Sequence, residues 1–287
     1  MRQTNANWLT VDVVEDLQHA IAGGKSVSDA LANLKRTTLP GIMEYGCLRH
    51  AVGPKVLPLL PEAVAQSRLG CALQAVKWRL RSRNTGVPKI SLKSIDTQSE
   101  EFFVLEKQSD LQQDDWKLFA ARLTRSAEAV GFSYDQASLI LAALIEMAEN
   151  AVIHAECAEP RLVGYRVMTG IAQFCVADVG RGVLASLRSC LDYVDIAHDG
   201  PAIRKALQDG ISRYGRGRGG FGFHPIFKAL TAQWGRLRFR SGGGCITMDG
   251  TGLDADKGQE HFPPAMPGFQ VTVTCALDGS PPPEPLL

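Results

Sequence analysis

Residues 139–155, LILAALIEMAENAVIHA, constrain this chain more than any other stretch. At about 100° per residue, Ile140, Leu141, Leu144, Ile145, Met147, Ala148, Ala151, Val152 and Ala155 share one broad apolar arc. Ser133 or Asp135 can cap this helix, which runs to about Ala155. Apolar, β-rich runs follow at 161–168 and 171–177. Upstream lie a short strand, Phe102 to Leu105, and a helix, Gln112 to Val130, closed by Gly131. Downstream come helical stretches at 183–192, 201–209 and 224–233, and strands near 236–240, 245–248 and 269–277. Several strands are neighbours along the chain. That order predicts an α+β protein, a two-layer α/β sandwich, over a strictly alternating doubly wound sheet.

The segment before residue 100 reads differently. Val11, Val14, Leu17 and Ile21 form a helical stripe, Gly23-Gly24 breaks it, and Ser28 to Leu34 forms another. Prolines at 40, 54, 58 and 61 predict an irregular stretch over 38–62, after which Glu62 to Arg83 resumes helical character. Residues 1–99 are thus expected to be a mainly helical region without a recognisable motif, 100–278 a single domain, and 279–287, with Pro281-Pro282-Pro283-Glu284-Pro285, a disordered tail.

Composition narrows the class. With 45% hydrophobic and 21% charged residues, the chain can bury a core without a disulfide or metal staple. The seven cysteines include no CxxC pair and are expected to be reduced thiols of a cytoplasmic protein. The N-terminal residues lack the apolar core of a secretory signal. The longest apolar run, Leu139 to Ile145, falls far short of the roughly 20 residues that span a bilayer. A formal charge of +1 argues against a general polyanion binder. The basic stretch between Arg68 and Lys89 is the one feature that suits a nucleic-acid adaptor, and a solvated helix face explains it as well.

Three motifs can carry chemistry. Glu146, Asn150 and His154 occupy successive i+4 positions outside the apolar arc; a carboxylate and an amide one turn apart can hold a hydrated divalent cation. Val176-Ala177-Asp178-Val179-Gly180-Arg181-Gly182 is a strand ending in an acid and two spaced glycines, which lets backbone approach a flat ligand beside a carboxylate. Gly215-Arg216-Gly217-Arg218-Gly219-Gly220-Phe221-Gly222-Phe223 runs into a helix near His224-Pro225, and glycines before a helix N-terminus can turn N–H groups toward a phosphate. This segment has neither the Walker form nor GxGxxG after a strand.

In this order, ExxxN on a helix, DxGxG after a strand and a glycine-rich segment entering a helix resemble the Bergerat-fold ATP-binding superfamily of gyrase B, the heat-shock chaperone of that class, MutL and histidine kinases. The resemblance covers roughly residues 100–278, and Glu146-Met-Ala-Glu-Asn150-Ala-Val-Ile-His154 looks most like the serine kinases that act as anti-sigma factors. The segments 206–212 and 235–243, and Pro267-Gly268 before the last strand, agree with it. The resemblance implies ATP and Mg²⁺ as ligands. Asn150 would bind the metal and Glu146 would orient or deprotonate the attacking group. Asp178 would accept from the adenine amino group, Gly180 and Gly182 would leave room for the ring, and Gly217, Gly219, Gly220 and Gly222 would cover the phosphates. One departure stands out. Phe269 occupies the place of the family's Thr after Pro-Gly, with Thr272 or Thr274 as possible substitutes.

The output is less constrained. Neither His19, followed by Ala20, nor His50, followed by Ala51 and prolines, suits a phospho-accepting histidine. What remains is an ATPase or ATP-gated switch, a kinase acting on Ser or Thr of a partner protein, or a nucleotide sensor; a homodimer is compatible with each. The near-neutral total also conceals a segregation. Residues 204–240 hold nine Arg/Lys against one acid, net +8, and 93–150 hold eleven acids against five bases, net −6. The basic segment is expected to serve the phosphates, the acidic one to lead into the magnesium helix.

Overall fold

The computed structural model describes residues 7–65, 91–92, 99–159, 161–208, 234–250 and 258–279. Among them the main sheet has eight strands in the order β3-β4-β5-β6-β10-β7-β8-β9, every neighbouring pair antiparallel. They are β3 (Ser91–Leu92), β4 (Ser99–Leu105), β5 (Arg161–Met168), β6 (Ile171–Ala177), β7 (Trp234–Gly242), β8 (Gly244–Gly250), β9 (Gln259–His261) and β10 (Met266–Ala276). β5 and β6 form a hairpin through Gly170, whose φ of +68° fits the tight turn. The long return of β10 into the centre, between β6 and β7, leaves the C-terminal end of β6 beside the start of β10.

Period-2 alternation sorts the strands onto two faces. Val163, Tyr165 and Val167 of β5, Phe174 and Val176 of β6, Val271 and Val273 of β10, and Leu237 and Phe239 of β7 join one core. Two helices cover it: α5 (Asp114–Ala129), through Trp116, Phe119 and Leu123, and α6 (Tyr134–His154), through Ile140, Leu144, Met147, Ala148 and Ala151. α6 is long and apolar enough to span a bilayer by length and composition alone, and its apolar arc is packed into this core. Its start is a capping box: Gln136 N–H donates to Ser133 Oγ at 3.2 Å, and Ser133 N–H to Gln136 Oε1 at 2.8 Å. α7 (Gly182–Arg188) and α8 (Asp199–Ala206) lie by β7 and β8.

The opposite face is covered too. A short parallel pair, β1 (Trp8–Leu9) with β2 (Arg36–Thr37), and helices α1 (Val11–Ala22), α2 (Ser28–Ala32), α3 (Leu39–Val52) and α4 (Glu62–Ala65) make up the N-terminal part. Its core of Leu9, Val14, Leu17, Leu39, Ile42, Met43 and Leu48 continues into Leu162, Cys175, Ala177 and Met266 of the sheet. The expected two-layer sandwich therefore carries a third layer. α3 lies over β5, β6 and β10, and Gly164 allows its approach, since a Cβ there would come within 3.0 Å of Leu39 Cδ1.

Helix α3 corrects the irregular stretch expected over 38–62. Pro40 lies in its first turn, where no intrahelical N–H bond is lost, and Thr38 Oγ1 caps it by accepting from Gly41 N–H at 3.1 Å. The helix ends at Gly53, φ +83°, and the other prolines fall in the connection beyond. His50 thus sits inside an intact last turn. The six described cysteines are free. The helix expected at 224–233, the whole basic 68–89 run and the 281–285 tail lie outside the described residues.

Candidate functional site

The site is built where the C-terminal end of α6 meets the loop after β6. Asp178 follows the last residue of β6, and its N–H extends the sheet by donating to Phe269 O at 3.0 Å. Its Oδ1 accepts from Gly180 N–H at 2.7 Å, which turns the chain sharply. Gly180 then packs on α6 so closely that a Cβ would collide with the Ala155 carbonyl. Arg181 N–H donates to that carbonyl at 3.0 Å, and Arg181 Nε to His154 O at 3.3 Å. Arg161 reaches the same helix end, donating to Ala151 O at 3.2 Å and Cys157 O at 3.2 Å. Two guanidinium groups thus satisfy the last carbonyls of α6 and oppose the negative end of its dipole. Glu156, the one described non-glycine residue at positive φ (46°), pairs with Arg181 at 2.9 Å.

The other wall is the turn into β10. Gly268, φ +78°, lies against Asp178, where a Cβ would strike its backbone and carboxylate. Gly182, φ +76°, has no room for a side chain either: Ser241 Oγ lies 2.9 Å from its Cβ position. Ser241 ties these pieces together, accepting from Val183 N–H at 2.9 Å and donating to Gly268 O at 2.9 Å. Gln270 Nε2 donates to Asp178 O at 3.2 Å and to Pro267 O at 3.3 Å. The spacing of DxGxG and Pro-Gly thus reflects backbone contacts that tolerate only glycine.

Asp178 is the electrostatic centre of this arrangement. It is 1% exposed, and its Oδ2 is buried without a hydrogen-bond partner. Burial pushes its pKa up to about 7; the Gly180 N–H, the Arg161 charge and the backbone contact with Phe269 oppose the rise. An acceptor left unpaired in such a place costs stability and offers one hydrogen bond to a donor from outside the fold.

Glu146 and Asn150 lie on the half-buried side of α6, outside the packed arc. Burial raises the pKa of Glu146, and the neighbouring Glu149 adds to the rise. The structure joins the end of Asn150's helix to the Asp178–Gly182 loop through the contacts around Ala155. Gly217, Gly219, Gly220 and Gly222 lie outside the described residues.

Two expectations are corrected. Arg238 and Arg240 do not serve a phosphate site on the helix face: alternation places them on the other face of β7, 8% and 0% exposed. Arg238 pairs with Glu44 of α3 and, at 2.6 Å, with Glu15 of α1. Arg240 pairs with Glu44 at 3.1 Å and donates to Gln18 and to Pro264 O. Arg204 is held by Glu260 at 3.4 Å. Nor do Thr272 and Thr274 replace the missing Thr. They face the N-terminal side, where Thr272 Oγ1 lies 3.0 Å from Cys175 Sγ and Thr274 Oγ1 accepts from Gln173 at 2.8 Å. Phe269 faces the helix layer and packs edge-on against Phe239, centroids 5.8 Å apart. Arg161, Ser241 and Gln270 had no signal in the sequence beyond their neighbourhood of the motifs.

Comparison with family models and with curated proteins finds no match for this chain.

Proposed function

We propose that this chain binds Mg-ATP as a member of the Bergerat-fold superfamily and works as an ATPase or ATP-gated switch. The observation that carries the reading is Asp178 Oδ2, a buried carboxylate oxygen with no partner, framed by glycines at close approach. It can accept from any N–H or O–H donor, and an exocyclic amino group on a flat ring is one that suits a site framed by close-packed backbone. Adenine carries one, and the sequence order of ExxxN, DxGxG and the glycine-rich segment belongs to proteins that bind ATP. Phe269, packed edge-on against Phe239 in the core, stands where the family has its threonine.

Asn150 is the residue suited to hold Mg²⁺, whose charge would offset that of the phosphates. Glu146, on the same helix and one turn earlier, is the candidate base that orients or deprotonates the attacking group. Its raised pKa brings it nearer the working range of a general base. The ExxxNAxxH pattern favours one second reading, transfer to a serine or threonine of a partner protein.

Isothermal titration tests the binding site. ATP should bind the wild type, and Asn150→Ala should weaken Mg-ATP while leaving magnesium-free nucleotide binding largely unchanged. Equal affinity of wild type and Asp178→Ala for ATP would sink the assignment. Glu146→Gln should keep ATP affinity within about threefold and lose turnover by about a hundredfold or more. Unchanged phosphate release would remove Glu146 from the chemistry. Incubation with γ-labelled ATP, alone and with cell extract, separates an ATPase from a protein kinase.

A further inference from the structure

We infer that helix α3 positions the nucleotide site from behind the sheet, so that docking of the N-terminal layer and nucleotide affinity are a single coupled equilibrium. The inference rests on the nucleotide-site reading above and assigns that site its regulatory element.

Two contacts from one face of α3, three residues apart, carry it. Cys47 Sγ lies 4.0 Å from the Asp178 carbonyl oxygen, the same oxygen that accepts from Gln270 Nε2. It is buried at 2% exposure and packs where the sheet ends under the carboxylate. Glu44 is 1% exposed and bridges Arg238 and Arg240 on β7. Arg240 directly precedes Ser241, whose hydroxyl holds both Val183 N–H and the Gly268 carbonyl. The orientation of Asp178 and the position of its two flanking turns thus depend on where α3 sits.

The chemistry of the clamp favours a two-state contact over a graded one. Buried ions are held only while they are paired, because either partner alone pays a desolvation penalty. Glu44 and the arginines therefore separate together or remain together. Gln18, through Arg240, and Glu15, through Arg238, extend the clamp to α1. The layer that covers the sheet is accordingly attached to it by apolar packing at β5 and β6 and by charge at β7. By linkage, a ligand that favours the ordered Asp178 must favour docked α3, and loss of docking must weaken the ligand.

Hydrogen exchange of the full chain, with and without ATP, tests this. ATP should slow exchange in 43–50 of α3 at least fivefold more than in 116–123 of α5, which covers the other face and serves as the control for global stabilisation. Glu44→Gln should weaken ATP binding about tenfold, and Cys47→Leu, which crowds the Asp178 carbonyl without touching the clamp, should also lower the preference for ATP over GTP. Equal protection of α3 and α5 by bound ATP would overturn the inference while leaving the nucleotide site intact. Failure of the wild type to bind ATP would remove both. Should Glu44→Gln not fold, the exchange comparison on the wild type decides.

Discussion

Asp178→Asn is expected to bind ATP about a hundredfold more weakly than the wild type, a cost of roughly 3 kcal/mol, and yet to melt at a higher temperature near pH 8. The two effects share one cause. The asparagine can keep the Oδ1 acceptor that holds Gly180 N–H, which leaves its amide NH₂ where Oδ2 stands in the wild type. A donor then faces the adenine amino group. The same donor suits a 6-oxo group, so the variant should shift its preference from ATP toward ITP. Stability moves the other way. The folded Asp178 pKa is raised from 3.8 to about 7, so between those values the native state keeps a proton that the unfolded chain has released. Wild-type stability is therefore lost as pH rises through this window, up to about 4 kcal/mol at its upper end. The buried amide gives back about 1–3 kcal/mol of that gain. The melting advantage of the Asp178→Asn variant should be absent near pH 4, grow toward pH 7 and level off above it. Calorimetry at several pH values reads the trend, and titrations with ATP and ITP read the specificity. An advantage that shrinks with rising pH would contradict the buried carboxylate.

Wild-type affinity for adenosine should follow the same titration in reverse. Protonation of Asp178 places the proton on Oδ2, because Oδ1 is engaged by Gly180, and the acceptor is lost. Adenosine binding should therefore weaken as pH falls below 7. Adenosine has no phosphate to titrate in that range, which keeps the reading clean.

Much of the helix-face half of the structure was legible along the chain, because its signals are local. The 3.6-residue arc of 139–155, the cap at Ser133 and the apolar, β-rich runs at 161–168 and 171–177 each contain their own evidence within a few turns or one strand. At Gly180 and Gly182 the need for glycine was legible for a related reason, but the atoms that approach them are those of Ala155, Ser241 and Gly268 and not the flat ligand expected. In the N-terminal layer the stripe Val11 to Ile21, the break at Gly23-Gly24 and the segment from Ser28 were legible as α1 and α2, but α3 was not. Prolines read as breakers concealed α3, since a Pro in the first turn differs from one in the interior only through the cap at Thr38. Arg238 and Arg240 misled because charge counted by segment assigns a cation to its neighbours in sequence. Their actual partner, Glu44, lies 196 positions from Arg240. A basic-hydrophobic alternation at 236–240 marks a strand with a polar face, and only the fold says what covers that face.

Breaking the clamp should cost as much stability as truncating a large, fully buried side chain of the N-terminal layer. Glu44→Gln leaves Arg238 and Arg240 buried without their shared carboxylate, and removal of one partner from such a pair costs about 3–5 kcal/mol. For a chain of this size that corresponds to a fall in melting temperature of about 10 °C. The charges are a source of specificity more than of net stability, and a second variant exposes the difference. Glu44→Leu combined with Arg238→Met and Arg240→Met removes all three ions and fills similar volume, so it should recover most of the loss. Glu15 gives an acid limit to the same contact. Burial pushes its carboxyl up, but the hydrogen bond with His261 and the Arg238 charge outweigh that and hold it near 2, below its usual 4.5. Its share of stability is therefore present above about pH 4.5 and is lost as pH falls toward 2. In thermal melts between pH 3 and 7, the triple variant should lose less stability on acidification than the wild type. Equal acid sensitivity in both would show that the Glu15–Arg238 contact adds nothing to the pH dependence, and a triple variant as unstable as Glu44→Gln would show that the charges contribute net stability and not specificity alone.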